Sequence, residues 1–361
     1  MSNLNIISGM GQDGYIITPE ETILVTGANG FIGSRVVRIL LSYGFKRVRC
    51  FTRSANNSKY LESLARESDQ ANLEIVKGNL LSSDACLMAT EGVSIVYHLA
   101  AGTEKTFAGC FLNSVVATRS LLDFAIKEKK LKRFVNISSI AVYSNEKIPR
   151  GGLLDESCEV DTKLVERYEP YTYGKTKQDE IVLEFAKKQN LPYVIVRPSV
   201  VFGPGKAKIP GRVGIDTFGV FVHLGLNNRI PITYIDNCAE AIVLAGLRKG
   251  IEGEVINIVD DDLPKSREFL RMYKKQVHRF ISIPIPYSVF YLFSYLWERY
   301  SKWSEGQLPP VFNRRTCGVY FKGNTYSNKK AKELLGWYPR VMMNDGLQNY
   351  FAYVREVKDK K

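Results

Sequence analysis

Read as apolar and polar positions, the chain alternates two periods over its first two hundred residues. Six short runs rich in β-branched and aromatic residues predict strands: TILVT (22–26), RVRCF (47–51), LEIVK (73–77), SIVYHL (94–99), RFVNIS (133–138) and YVIVRP (193–198). The stretches between them, notably 31–43 and 111–129, carry apolar residues at helical spacing. This alternation predicts an α/β fold, a doubly wound parallel sheet covered by helices on both faces. The order loosens beyond residue 203, where Gly and Pro gather at 203–214 and prolines recur at 284, 286, 309 and 310. We therefore expect a first domain over 20–202, rejoined by 229–260, and a smaller, mainly carboxy-terminal lobe from 203–228 and 261–361.

The first strand runs into TGANGFIGSRVVRIL, where Gly27, Gly30 and Gly33 form GxxGxxG and helical periodicity starts at Phe31. Such a turn brings backbone N–H groups and a helix N-terminus against a pyrophosphate, and side chains at the glycine positions would block the approach. With a second strand ending about twenty residues on, the pattern predicts a dinucleotide site that includes Asn29, Phe31 and Ile32. That second strand ends in Thr52 and Arg53, not in the Asp or Glu that accepts a ribose 2′-hydroxyl. An arginine pairs with a 2′-phosphate, so NADP is expected over NAD. The alternative is a solvated Arg53 in a basic loop.

Composition narrows the class only a little. The 361 residues are 45% apolar and 24% charged, as in a globular protein. Six cysteines (50, 86, 110, 158, 238, 317) form no CxxC pair and no even framework, which reads as reduced thiols in a cytoplasmic protein. Three scattered histidines lack ligand spacing, so no metal is expected. The net charge of +13 reads as spread along the chain; it suits an anionic ligand or surface and shows no clustered nucleic-acid module. The first twenty residues lack a basic segment followed by an apolar core, so no secretory signal is expected. Prolines and polar residues interrupt the apolar run 280–297, against a transmembrane helix.

Residues 170–177, PYTYGKTK, hold one signature twice: Tyr171 lies four residues before Lys175, and Tyr173 four before Lys177. On a helix each pair shares a face. The two tyrosines lie about 200° apart around the axis, so at most one pair addresses any one site.

Together these motifs resemble an extended short-chain dehydrogenase/reductase of the NAD(P)-dependent epimerase/dehydratase superfamily, from about residue 22 to beyond 340. TGANGFIG is similar to the family's opening loop, YHLAA (97–101) to its fourth-strand motif and NISSIAVY (136–143) to its active-site serine strand. RPSVVFGPG (197–205) resembles the RPxxVYGPG turn, TYIDNCAEAIVLA (233–245) a later strand-to-helix segment, and KKAKELLGWYPRV (329–341) the usual ending. The resemblance implies a Rossmann-type sheet with a substrate-binding lobe. It also implies cofactor contacts from Asn79, Leu80, Leu99, Ala100, Ala101, Pro198 and Val201. Substrate contacts are implied from Thr103 and from Arg229, near where family members place an arginine on a nucleotide diphosphate.

The same resemblance implies a Ser–Tyr–Lys site. A phenol is a weak base at neutral pH; a lysine ammonium and the oxidised nicotinamide favour its phenolate and lower its pKa. The serine holds the substrate oxygen, and the lysine also anchors the nicotinamide ribose. Ser139 takes the serine position, with Ser138 as second choice. Pro170 before the tyrosine, and Asp179, Ile181 and Val182 after the lysine, favour Tyr171 and Lys175. Thr176 directly before Lys177 favours the other pair. Family members dimerise through the helices corresponding to 111–129 and 171–189, whose faces should then be apolar.

Departures narrow the reaction. Ile140 and Ala141 stand where 4,6-dehydratases carry Asp and Glu, so dehydration is not expected. Ser199–Val200 replaces an epimerase asparagine, and Ser114 replaces an asparagine that supports the tyrosine. The leading expectation is an NAD(P)-dependent oxidoreductase or epimerase acting on a nucleotide-linked sugar. FISIPIPYSVFYLFSYLWERYSKW (280–303) resembles the apolar region of 3β-hydroxysteroid dehydrogenase-like members, implying instead a hydrophobic alcohol and peripheral membrane contact. A third possibility is a dinucleotide-binding regulator without catalysis.

Overall fold

Seven strands rise where the sequence crowds β-branched residues: β1 (Thr22–Thr26), β2 (Arg47–Thr52), β3 (Asn72–Lys77), β4 (Val93–His98), β5 (Arg133–Ile137), β6 (Tyr193–Pro198) and β7 (Val255–Ile258). They form one sheet in the order β7-β6-β5-β4-β1-β2-β3, and every neighbouring pair is parallel. The structure, a computed structural model, describes residues 14–360 apart from 54–57, 68–71, 218 and 306. The first thirteen residues, part of the stretch read for a secretory signal, lie outside the described residues.

The sheet explains why the strand sequences are almost continuously apolar. All of β4 and β5 is buried, as parallel strands covered on both faces require. Alternate side chains feed two cores. Ile23 and Val25 join Val36 and Leu40 of α1 (Gly33–Ser42) on one face. Leu24 joins Val96, Phe134, Leu121 and Val182 on the other. Helices α2 (Ser58–Glu67), α3 (Ser83–Thr90), α4 (Phe107–Cys110), α5 (Ala117–Ala125), α6 (Pro170–Gln189) and α7 (Ile235–Leu247) complete the cover. The single helix expected over 111–129 is instead α4, a π-helical turn at Phe111–Val116, and α5. Pro170 opens α6, and Asn190 closes it in the left-handed region at φ 53°.

The lobe contains a small sheet of Gly214–Thr217, Val220–His223 and Ser282–Pro284. Its helices are α8 (Ser266–Gln276), α9 (Tyr287–Trp303) and α10 (Arg314–Phe321), with a core of Leu224, Phe290, Cys317 and Phe321. The last helices, α11 (Lys329–Leu335) and α12 (Met343–Asp359), return to the main sheet: Leu335, Leu347 and Phe351 join the core of β1 and α7.

Two features of the lobe differ from the sequence reading. Residues 265–322 hold eleven Lys and Arg against three Glu, +8 of the total +13, so the charge is concentrated and not spread. The largest exposed apolar array lies on α9, not on the expected dimer helices. Val289, Leu292, Phe293, Leu296, Tyr300 and Trp303 are 42–78% exposed along one outward arc, whereas 111–129 exposes Phe111 and Leu112, and α6 exposes Tyr171 and, beside the Glu184 ion pairs with Arg119 and Lys188, Leu183. Among the described residues no helix is long and apolar enough to cross a membrane.

Candidate active site

A parallel sheet delivers every strand's carboxyl end to one edge, and in the order above the chain reverses direction between β1 and β4, where a crevice opens. At the end of β1, Gly27 turns at φ +66°, and the Gly30 N–H donates to Gly27 O at 2.9 Å. A Cβ on Gly33 would stand 2.2 Å from Gly27 O, so only glycine permits this turn to close. No side chain caps the first turn of α1, which leaves a helix N-terminus facing the crevice. Phe31 packs against Gly205, and the Lys206 ammonium lies 4.6 Å from its ring centre.

The other expected cofactor residues line the same edge. Thr52 and Arg53 end β2: Arg53 is exposed, while Thr52 Oγ1 is buried without a hydrogen-bond partner. After β3, Asn79 Oδ1 accepts from Leu81 N at 3.1 Å, and Leu80 is buried. Leu99, Ala100 and Ala101 are half-buried past β4, Asn29 and Ile32 are half-buried in the glycine turn, and Thr103 is exposed. Pro198 ends β6, and Val201 is buried just beyond it.

Ser139 and Tyr171 are neighbours, and Lys175 follows Tyr171 by one turn of α6. Ser139 leaves β5 in extended conformation, caps the short 3-10 turn Ile140–Val142 by accepting from Ala141 N at 3.1 Å, and lies near enough to the Tyr171 phenol to lower its pKa. Lys175, one turn along α6, is 3% exposed; it donates to Ile137 O and, at 2.9 Å, to Gln178 Oε1. Burial lowers its pKa to about 8, with Asp179 opposing the shift. Tyr171 departs from the expectation of a lowered phenol. Burial pushes it up to about 12, with Ser139 opposing the rise and Asp179 and Cys110 adding to it.

The second signature faces elsewhere. Tyr173 packs edge-on against Phe107 at 5.4 Å and near Phe111, and Lys177 pairs with Glu180 at 2.7 Å at the surface. Ser138 is engaged too: its hydroxyl donates to Asp179 Oδ2 at 2.8 Å. Asp179 also accepts from Asn136 Nδ2 at 2.7 Å and Arg197 Nη2 at 3.1 Å, and the Arg197 guanidinium lies 4.6 Å from the Tyr143 ring centre. This knot pins β5, β6 and α6 behind the site. Arg197 was visible in the RP motif, but nothing in the sequence pointed it at Asp179.

The sequence profile described as the NAD dependent epimerase/dehydratase family matches residues 23–258. The chain belongs to that family. It is 28% identical over 257 residues to the trifunctional UDP-glucose 4,6-dehydratase/UDP-4-keto-6-deoxy-D-glucose 3,5-epimerase/UDP-4-keto-L-rhamnose-reductase of Arabidopsis thaliana, a match covering 67% of this chain and 37% of that protein. It is 30% identical over 186 residues to cinnamoyl-CoA reductase 1 of the same plant, covering 51% and 54%. These matches span about half the length of the curated relatives. Among solved structures, UDP-glucuronic acid 4-epimerase from Bacillus cereus, in complex with UDP-glucuronic acid and NAD, superposes with a TM-score of 0.69 at 22% identity, covering 93% of this chain and 99% of that one. A double mutant of DesIV, a dTDP-glucose 4,6-dehydratase from Streptomyces venezuelae, gives 0.69 at 20% identity, covering 94% and 98%.

As an epimerase/dehydratase family member the chain places one expected residue apart. Arg229 Nη1 donates to Leu263 O at 2.8 Å. It lines a surface depression with Glu268, Arg271 and Asn344, separate from the Ser139 cluster. A larger cleft of about 610 Å³ lies between the lobe and the segment after β5, lined by Asn145, Asp161, Tyr291, Lys302, Arg314 and Arg315 among others.

Proposed function

We propose that the protein is an NAD-dependent oxidoreductase or epimerase acting on a nucleotide-linked sugar, with Ser139, Tyr171 and Lys175 as its catalytic residues. One observation carries the reading: a tyrosine beside a serine hydroxyl, one helical turn from a buried ammonium. The crevice suits a dinucleotide, since its glycine cradle has room for no Cβ at Gly33 and the Thr52 hydroxyl at its rim lacks a partner. Bound there, the nicotinamide supplies the hydride acceptor and donor. Tyr171 Oη takes the proton of the substrate hydroxyl as the carbinol is oxidised and returns one on reduction. Ser139 Oγ holds the same oxygen, and the Lys175 charge favours the phenolate. Ile140 and Ala141 can move no proton, which sets dehydration aside.

NAD is assigned over the NADP expected from Arg53, because similar folds were solved with NAD bound. In this reading residues 203–228 and 261–322 hold the sugar nucleotide, the protein works in the cytoplasm, and it pairs as a homodimer through α5 and α6. The test begins with protein purified without added nucleotide, denatured, and its released small molecules identified by mass spectrometry. UDP-glucuronic acid, UDP-glucose and dTDP-glucose are then supplied with NAD or NADH. Released NAD and a turnover that Tyr171→Phe abolishes support the reading. No bound dinucleotide and no conversion of any nucleotide sugar overturn it.

A second reading has its own observation. The apolar arc of α9 sits in the segment carrying +8, as in a helix that lies in an anionic membrane interface, and it favours a hydrophobic alcohol taken from that surface. Sedimentation with anionic vesicles, lost in Leu296→Glu, would support this reading over the first.

A further inference from the structure

Four side chains, Gln178, Thr118, His98 and Thr26, form a continuous polar chain behind Lys175. The Lys175 ammonium can only donate, so the amide oxygen of Gln178 must face it, at 2.9 Å. The amide nitrogen then donates to Thr118 Oγ1 at 2.9 Å and reaches toward Ala100 O at 3.4 Å. Thr118 has one hydroxyl proton, and the close approach of its oxygen to Ser114 O requires that proton between them. Thr118 Oγ1 therefore accepts its other contact, from His98 Nε2 at 2.8 Å. Burial, with Lys175 adding to it, lowers the pKa of His98 to about 3, so the ring is neutral and its other nitrogen accepts. The donor to Nδ1 is the Thr26 hydroxyl at 2.8 Å, and Thr26 Oγ1 in turn accepts from Ala100 N at 3.2 Å. Each contact along the chain pairs one donor with one acceptor, and Gln178, Thr118, His98 and Thr26 are at most 2% exposed.

We infer that Gln178 is a positioning residue, holding the Lys175 ammonium by its amide oxygen and tying it, through Thr118 and His98 in its Nε2–H form, to the ends of β1 and β4 that face the crevice. This rests on the reading of Lys175 as catalytic, and it adds what keeps that side chain charged and aimed. A hydrogen bond to the charged form favours it, which matters for an ammonium already weakened by burial. Other charged or titratable groups facing this cluster are Asp179 and Tyr171 on α6, His98 on β4, Arg197 on β6 through Asp179, and Cys110 on α4 beside Tyr171. None of them occupies the Gln178 position between Lys175 and Thr118.

The test needs neither cofactor nor substrate. The full chain is labelled with 13C at lysine Cε and 15N in the histidine rings; three histidines make assignment tractable, and Lys175→Arg identifies the lysine signal. The expected result is a Lys175 transition about one pH unit lower in Gln178→Leu, which loses an acceptor to a charged group, and higher in Gln178→Glu, which places a carboxylate there. In the parent chain His98 shows the neutral Nε2–H form across pH 5–8, and Thr118→Val disturbs its ring signals. Lys175 transitions unchanged in both folded Gln178 variants, or a His98 ring carrying its proton on Nδ1, would overturn the inference. Gln178→Glu keeps the site polar and serves if Gln178→Leu does not fold. Failure of the function reading would show separately, as absent turnover with these titrations intact.

Discussion

Arg197 and Asp179 meet at 3.1 Å with both side chains at most 6% exposed, one from β6 and the other from α6. Arg197 raises nothing at the site by itself, yet it holds the carboxylate that also receives Ser138 and Asn136. Breaking one side of a buried pair leaves an uncompensated charge. We expect Asp179→Ala to lose about 3–5 kcal/mol of stability, read as a lower midpoint in urea unfolding, whereas Lys177→Ala, which removes only a surface pair, shifts it little.

The two tyrosines separate by their surroundings, Tyr171 beside Ser139 and Tyr173 against the Phe107 and Phe111 rings. Tyr171→Phe is expected to lower turnover by about 10²–10⁴-fold while leaving dinucleotide binding intact. Tyr173→Phe keeps its ring contacts with Phe107 and Phe111 and should keep its activity. Steady-state kinetics beside a fluorescence titration with NADH distinguish the two.

If Lys175 serves in catalysis as proposed, it is expected to act oppositely on activity and on stability. Its folded pKa, about 8, lies below the ordinary 10.5, so the unfolded chain binds the extra proton between those values. Its contribution to stability therefore rises with pH across that window, while activity falls above about pH 8 as the ammonium is lost. A pH–rate profile and urea melts at pH 7.5 and 9.5, the latter compared with Lys175→Met, check both limbs.

On the acid side two buried histidines draw stability down as pH falls. His98 is lowered to about 3 and His223 to about 4, burial being the first cause of each. Unfolded histidine takes up its proton first, so stability is present above about pH 6.5 and is lost as pH falls toward 4. A paired His98→Gln and His223→Gln variant should flatten the slope of stability between pH 6.5 and 4, measured by denaturant melts.

The sheet and the glycine turn were legible because burial on two faces writes itself into consecutive residues: Val25, Val96 and Val135 could not be otherwise and remain in place. The duplicated Tyr–Lys signature could be weighed only through register. Its geometry follows from packing, which turns Tyr173 into the Phe107 and Phe111 rings. The chain from Lys175 to Thr26 was invisible for a different reason. Thr26, His98, Thr118 and Gln178 are ordinary polar residues at separations of 72, 20 and 60 positions, and only the order of parallel strands makes them neighbours. For Arg229, the sequence did not reveal the backbone carbonyl of Leu263 that its guanidinium reaches.

The glycines divide the main sheet into two unlike rims. At the carboxyl rim, an added Cβ would meet atoms 2.2 Å from Gly33, 2.7 Å from Gly203 and 2.8 Å from Gly78. At the opposite rim, Gly44, Gly92, Gly250 and Gly253 would meet nothing within 4 Å. For anyone attaching the protein to a bead, a dye or a fusion partner, that asymmetry is a map. Extra chain inserted at the turns before β2, β4 or β7 grows into open space, on the side of the sheet away from every residue assigned here to chemistry.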